Sequence, residues 1–369
     1  MNIGGPSIQA LLLTREMAAL EYRTVLVAGS CEAEEGDMRY LVQAGDGVCW
    51  VPELSRSVRP WSNLKALWRL WRLLLRERPA IVHTHTAMAG CLGRLAAVLS
   101  GVPVIVHTFH GNSLSQYFSR FTAGAFRRIE QVLARFTDVL CVVSPQQAEE
   151  LSGKFRIAPR GKFRVVPLGL ELDDYFALPA AERDSPLTVG WFGRLAPVKN
   201  IPLLVETIEG ALGRGEDMRF LIVGDGPERG ALRSVLDRYA GRVEWLGWQR
   251  DILPVLARCH VVLQTSRNEG TPVALIQGMA AARPFVSTAA GGVVDMVGAG
   301  GCGNGVLAAG DATSLADALA ELSRDRERVV RMGQAGRAFA ERYRKEVLVG
   351  NVDSLYRELL REKNWKPNL

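Results

Sequence analysis

Short apolar runs alternate with longer amphipathic segments along almost the whole chain. Runs bounded by Gly, Pro and polar turn residues read as strands buried on both faces, and the segments between them as crossover helices of a parallel sheet. In the first half the pattern predicts strands at RTVLVAG (23–29), AIVHTHT (80–86), VPVIVHTFH (102–110), DVLCVVS (138–144) and FRVVPLG (163–169), with helices at 63–78 and 126–136. The second half repeats it with LTVGWFG (187–193), RFLIVGDG (219–226), RVEWLGW (242–248), HVVLQTS (260–266) and PFVSTAAGG (284–292). Between the halves, ELDDYFALPAAERDSP (171–186) is acidic, proline-containing and aperiodic, which predicts a linker. The expected fold class is α/β: two doubly wound Rossmann-like parallel-sheet domains facing across a cleft, with ligands at the carboxyl ends of the strands. The first domain is placed at 1–170 and the second at 187–344. An amphipathic helix in the final segment, 345–369, is expected to return to the first domain.

The chain opens on MNIGGPS, where Gly4 and Gly5 form a turn followed at once by a helical run. Such a turn presents backbone N–H groups to an anion, but it ordinarily follows a strand. No strand precedes it, so the expectation is a first domain without its first strand, through a late assigned start.

Composition narrows the classes. At 369 residues the chain fits two domains, and 48% hydrophobic with 23% charged residues is globular, not disordered. Forty-five basic against 39 acidic residues give +6 at pH 7, compatible with a phosphorylated ligand or an anionic surface. The cations are dispersed and no known binding module is present, so nucleic acid is not an expected partner. Six scattered cysteines without C-x-x-C read as free thiols of a reducing compartment. Neither a secretory signal nor an uncharged membrane-spanning stretch is apparent, so a cytoplasmic protein is expected.

Candidate chemistry concentrates in the second half. Arg194 and Lys199 follow a predicted strand end, where two cations can meet a diphosphate. In SRNEGTPVALIQGMA (266–280), Glu269 precedes a small backbone-exposing run, and Gln277 lies eight residues on. Gly270, Thr271 and Val273 can present N–H groups, whereas Pro272 has none. A glutamine amide offers one acceptor oxygen and an NH2 donor in place of two carboxylate acceptors.

GWFGRLAPVKN (190–200), LIVGDGPERGAL (221–232), VEWLGWQRDI (243–252) and NEGTPVALIQGMAA (268–281), in this order, resemble the nucleotide-sugar domain of family 4 glycosyltransferases, retaining enzymes of the GT-B fold. NIGGPS (2–7), VHTHTAMAGCLGRLAA (82–97) and VHTFHG (106–111) resemble that family's first domain, so the likeness spans nearly the whole chain. The resemblance implies metal-independent, cofactor-free transfer of a sugar from a nucleoside diphosphate donor, by family tendency UDP, to an acceptor hydroxyl. The setting it implies is synthesis of cell-surface glycans or lipid-linked oligosaccharides. It assigns Arg194 and Lys199 to the departing diphosphate, Glu269 to the first acid of an E-x7-E motif beside the donor sugar, and His110 to a histidine that reaches that sugar. Donor contacts are expected at Gly4, Gly5, Gly193, Gly224, Gly247, Trp248, Gly270, Thr271, Pro272 and Val273. Gln277 stands where a second acid would bind the ribose. No D-x-D occurs, in agreement with metal-independent chemistry. Two further departures are Ala282, where the family has a helix-ending glycine, and Asp295, where glutamate is commoner. An alanine forced to positive φ would add about 1 kcal/mol of strain.

His83, His85, His107 and His110 cluster at predicted strand ends and could bind zinc, but no acidic or cysteine ligand accompanies them, so packed strand-end histidines are preferred. GDGPERG (224–230) departs from a dinucleotide fingerprint because its third glycine is one residue late. A GT-B-type sugar-nucleotide epimerase and a degenerate, non-catalytic nucleotide-sugar-binding protein are the alternatives. On helix 63–78, Leu64, Leu67, Trp68, Trp71, Leu74 and Leu75 make one face and Lys65, Arg69, Arg72 and Arg76 another. Packing of that apolar face on the sheet is expected. With the aromatic and basic stretch 116–128, it also marks a place where the chain could touch the inner membrane face and a lipid-linked acceptor.

Overall fold

The computed structural model describes residues 5–31, 38–55, 57–111, 120–181, 186–297 and 303–365. Gly4, and residues 116–119 of the aromatic stretch, lie outside them. The chain divides into two compact units, Met1–Leu170 with Lys345–Leu369, and Glu171–Arg344.

Unit 1 begins with α1 (Gly5–Ala19) and β1 (Leu26–Gly29), then β2 (Val48–Val51) and α2 (Pro60–Glu77). It continues with β3 (Ile81–His85), α3 (Ala87–Leu99), β4 (Val104–Phe109), α4 (Arg120–Phe136), β5 (Val139–Val142), α5 (Pro145–Glu149) and β6 (Phe163–Val165). All its pairings are parallel. They form a two-stranded sheet, β1-β2, and a four-stranded sheet, β3-β4-β5-β6. Alternate residues of the strands serve opposite faces. Val104, Val106 and Cys141 pack with Leu12, Leu13 and Met17 of α1, whereas Leu140 and Val142 pack with Phe126 of α4 and Ala148 of α5. Between α3 and α4, Arg94 makes a buried two-pronged ion pair with Glu130, both bonds 2.7 Å.

α2 starts with proline at its first turn and ends at Arg78, whose φ of +45° closes the helix just before Pro79. Its expected single apolar face divides in two. Leu67, Trp71 and Leu74 pack with Leu70, Val51, Leu54 and Leu92, while Leu64, Trp68 and Leu75 are exposed.

Unit 2 opens with α6 (Asp173–Phe176), inside the segment expected to be a linker, and β7 (Leu187–Phe192). There follow α7 (Ile201–Gly213), β8 (Met218–Val223), α8 (Arg233–Arg238), β9 (Val243–Gly247), α9 (Leu253–Arg258), β10 (Val261–Gln264), α10 (Val273–Ala280), β11 (Phe285–Thr288), β12 (Gly305–Ala308), α11 (Ala312–Arg324) and α12 (Arg326–Ala340). The six strands are parallel in the order β12-β11-β10-β7-β8-β9. The chain therefore winds outward from β7 through β8 and β9, returns to the other side of β7 with β10, and winds out again. Loops leaving β7 and β10 diverge to opposite faces, and the crevice between them is where an open α/β sheet receives a ligand. Both faces are covered, so β7, β8 and β10 are apolar almost throughout, with Val189, Trp191, Phe220, Ile222, Val261 and Leu263 in one core. Asp311 and Asp325 cap α11 and α12 by accepting backbone N–H bonds from Ser314 and Arg328. The chain ends in α13 (Lys345–Glu362), which packs Leu348, Val352 and Leu355 into unit 1.

Two strands escaped the sequence pattern, β2 and β12. Each follows a glycine-rich stretch, GDG (45–47) and GGCGN (300–304), that reads as loop.

Candidate active site

The two loops at the switch point of unit 2, 193–200 and 265–272, are clasped together. Arg267 donates its backbone N–H to the Val198 carbonyl (2.8 Å), and its guanidinium bonds Asn200 Oδ1 (3.0 Å). The Thr265 hydroxyl donates to the Lys199 carbonyl (2.8 Å) and accepts from the indole N–H of buried Trp191 (3.2 Å). Asn200 takes φ +55° to turn the chain into α7. This scaffold brings Lys199 onto Glu269: Nζ lies 2.5 Å from Oε1, with the side chains 20% and 14% exposed. The Ser266 hydroxyl donates to the same oxygen (2.6 Å). A half-buried carboxylate is thus held by one cation and one hydroxyl beside the start of α10.

Glycines make the surroundings possible. Gly291 sits at φ +55°, and a Cβ there would fall 2.1 Å from the Glu269 carbonyl oxygen. Its neighbour Gly292 donates its N–H to that carbonyl (3.1 Å). Gly224 adopts φ +134°, and a Cβ on it would meet the Gly193 carbonyl oxygen at 1.8 Å. Its N–H donates to the Gly247 carbonyl (2.8 Å), so Gly193, Gly224 and Gly247 run side by side across three strand ends. Arg194, next to Gly193, is exposed, and Trp248 is half exposed. Thr271 and Pro272 are buried, Gly270 and Val273 partly so; Pro272 caps α10, whose first-turn N–H groups open beside Glu269. Helix-start amides of this kind favour negative charge.

Gln277, one turn into α10, is partly exposed and donates its amide N–H to the Tyr175 hydroxyl (2.8 Å). Tyr175 comes from α6, so the acidic segment is packed on the site. Burial pushes the Tyr175 hydroxyl up to about 12 and keeps it neutral. Neither Tyr175 nor Ser266 was singled out from the sequence. Ser266, three residues before Glu269, carried a usable signal; a tyrosine in an aperiodic stretch carried none. At the end of α10, Ala282 takes φ +55°, the left-handed conformation in which alanine is strained.

His110 belongs to unit 1, at the end of β4, among the other three histidines. His85 Nδ1 lies 2.8 Å from His110 Nε2. His83 bonds the hydroxyls of Tyr356 (2.7 Å) and Thr108 (2.6 Å), and His107 that of Thr84 (2.9 Å). Burial drives all four well below the usual histidine range, His85 to about 4, so the cluster is neutral. The bonded nitrogens are engaged with hydroxyls or with one another, whereas His110 Nδ1 is buried without a hydrogen-bond partner. Thr86, directly after His85, has φ +64°, a value a β-branched residue rarely takes. Gly5 starts α1, apart from these histidines in sequence.

A parallel α/β unit with a cation-held carboxylate and helix-start amides at its switch point is suited to an anionic ligand. The comparisons give it a family. Residues 4–169 match the glycosyl transferase 4-like domain, and residues 186–325 match the glycosyl transferases group 1 family. The chain belongs to the group 1, family 4 glycosyltransferases of GT-B fold, and it is a glycosyltransferase. An Escherichia coli UDP-Gal:alpha-D-GlcNAc-diphosphoundecaprenol alpha-1,3-galactosyltransferase is 28% identical over 253 residues, 64% of this chain and 65% of that protein, just under two thirds of its length. The Staphylococcus aureus capsular polysaccharide biosynthesis glycosyltransferase CapM is 22% identical over 89% of this chain and 90% of its own. Among solved structures, Anabaena HepE in complex with UDP superposes with TM-score 0.77 at 19% identity, covering 96% of both chains. Sucrose-phosphate synthase from Thermosynechococcus elongatus gives 0.78 at 21%, covering 97% of this chain and 94% of that one. The doubly wound two-domain architecture expected from the sequence is therefore that of its structural relatives. No helix among the described residues is long and apolar enough to cross a membrane.

Proposed function

We propose that this chain moves a hexose from a UDP-sugar to a hydroxyl of a lipid-linked glycan, with retention of anomeric configuration and without a metal ion. The observation that carries this reading is the Lys199–Glu269–Ser266 cluster at the mouth of β7 and β10, flanked by the Gly291–Gly292 turn and the start of α10. A diphosphate leaving group needs positive charge fixed in place before the bond breaks. Lys199, Arg194 and the α10 amides supply it, while Glu269 borders the sugar and holds Lys199 in position. In the reaction, the bond from the anomeric carbon to the diphosphate oxygen breaks as the acceptor oxygen bonds to the same face. The acceptor proton passes to the departing phosphate oxygen. Gln277 and Tyr175 hold the nucleoside side. A diphosphoundecaprenol-linked acceptor is suggested by the Escherichia coli relative named above.

The test is to incubate the protein with UDP-hexoses and a diphosphoundecaprenol-linked sugar, with a chelator present, and to determine the product's anomeric configuration by NMR. Retention, undiminished by chelator, is expected, with UDP release dependent on acceptor. An inverted linkage, complete loss with chelator, or donor rearrangement without acceptor would contradict the proposal.

A further inference from the structure

In unit 1, α3 and α4 are successive crossovers between the parallel neighbours β3, β4 and β5, and α2 lies beside α3. α2 and α3 pack together through Leu70, Leu92 and Ala96, and α3 and α4 through the Arg94–Glu130 pair. Their inner sides are accounted for. Their outer sides are unusual: among the described residues, the large apolar side chains more than half exposed are Val58, Trp61, Leu64, Trp68, Leu99 and Phe136, and all six lie on or just before these helices. Trp61, the most exposed at 80%, begins a stripe on α2 at helical spacing through Leu64, Trp68 and Leu75. Ile129, Val132 and Phe136 make the matching stripe on α4, with Leu95 and Leu99 on α3 between them.

Charge is distributed on the same side. Lys65 and Arg72 interleave with the α2 stripe, the Arg72 guanidinium 4.9 Å from the centre of the Trp68 ring, and exposed Arg127, Arg128 and Arg135 do the same on α4. The described helices carry only two carboxylates to offset these. Glu130 is buried against Arg94, and Glu77 is paired with Arg23 and Arg76. Tryptophan and arginine mixed on one helix face suit the headgroup boundary of a bilayer, where rings enter the acyl edge and cations reach phosphates. A second copy of this chain fits poorly, because a two-fold contact would set the cations against themselves.

We infer that the outer face of α2, α3 and α4 is a docking surface for an anionic lipid membrane, which the protein touches without spanning. The inference rests on the surface of unit 1 and stands apart from the identity of donor and acceptor.

Vesicle flotation tests it, using vesicles of pure phosphatidylcholine and of phosphatidylcholine with one quarter phosphatidylglycerol. The wild-type protein should float with the anionic vesicles at least roughly tenfold more strongly than with the neutral ones, and salt should weaken the binding. Trp61→Ser/Trp68→Ser and Lys65→Glu/Arg72→Glu should each lose that binding while keeping the wild-type unfolding temperature, since all four side chains are exposed. Trp365→Ser, beyond α13 on the opposite face of the sheet, should bind as wild type. Absence of binding to either vesicle, equal binding by the tryptophan variant, or a concentration-dependent self-association abolished by that variant would each overturn the inference.

Discussion

Replacing Gln277 by glutamate probes the amide that stands where the resemblance to family 4 implies a second acid. Gln277 donates to a Tyr175 hydroxyl that burial keeps neutral, so on the proposed function its remaining oxygen is the acceptor left for a ribose hydroxyl. With Gln277→Glu the phenol turns donor to the new carboxylate, and the carboxylate keeps acceptor capacity for the ribose edge. A neutral hydrogen bond contributes about 1 kcal/mol and one to a charged group about 1.5–3 kcal/mol. Because the position is partly exposed, a gain of about 1–2 kcal/mol in UDP affinity is expected, roughly 5- to 30-fold in Kd. Tyr175→Phe in the parent chain should weaken UDP by about 1 kcal/mol, by leaving a half-buried amide without its acceptor. Titration calorimetry of the two single variants, the double variant and the parent completes a cycle that isolates the coupling. If Gln277→Glu weakens UDP tenfold or more, the amide N–H itself contacts the nucleotide and the assignment is wrong. Equal affinity in all four proteins would remove both residues from the site.

The remaining predictions concern the charged cluster, the helix end and the histidines. Glu269→Ala and Lys199→Ala should each slow sugar transfer at least tenfold, about 1.4 kcal/mol of transition-state stabilisation, in an acceptor-saturated initial-rate assay. Wild-type rates in both would move the site elsewhere. Ala282→Gly should stabilise unit 2 by about 1 kcal/mol through relief of the φ +55° strain, raising its unfolding temperature by roughly 2–4 °C. His85 has a folded-state value of about 4 against an ordinary 6.5, so the unfolded chain binds its proton more readily. The stability it contributes is fully present above about pH 6.5 and is lost as pH falls toward 4. It should be about 2 kcal/mol smaller near pH 5 than at neutrality, and His85→Phe should lessen the pH slope of stability in urea titrations while the other three histidines keep theirs.

Much of this could be read beforehand, for physical reasons that differ by element. Strands buried on both faces, such as 187–192 and 218–223, announce themselves as apolar runs, and the residues at their carboxyl ends follow by adjacency. Ala282 drew notice only through the resemblance, which implies a helix-ending glycine there, and the structure supplies the φ of +55° that makes alanine strained. What stayed hidden depended on partners distant in sequence. The four-residue helix α6 is too short to show a period, so Tyr175 passed as part of a linker although it meets Gln277. His83 was visible as part of a cluster, but its partner Tyr356 lies 273 residues away. On α2, adjacent apolar positions merged two stripes into one apparent face, and only the structure separates the inward Leu67, Trp71 and Leu74 from the outward Leu64, Trp68 and Leu75.

The most direct test of the central claim, that the switch point of unit 2 binds a UDP-sugar, is thermal unfolding of the protein with UDP, GDP, ADP and their sugar conjugates, beside Arg194→Ala. At a hundredfold excess over Kd a ligand adds about 2.7 kcal/mol, so UDP should raise the transition of unit 2 by roughly 5–10 °C, and the shift should shrink in Arg194→Ala. An unchanged transition with every nucleotide, or an equal shift in the variant, would contradict the account.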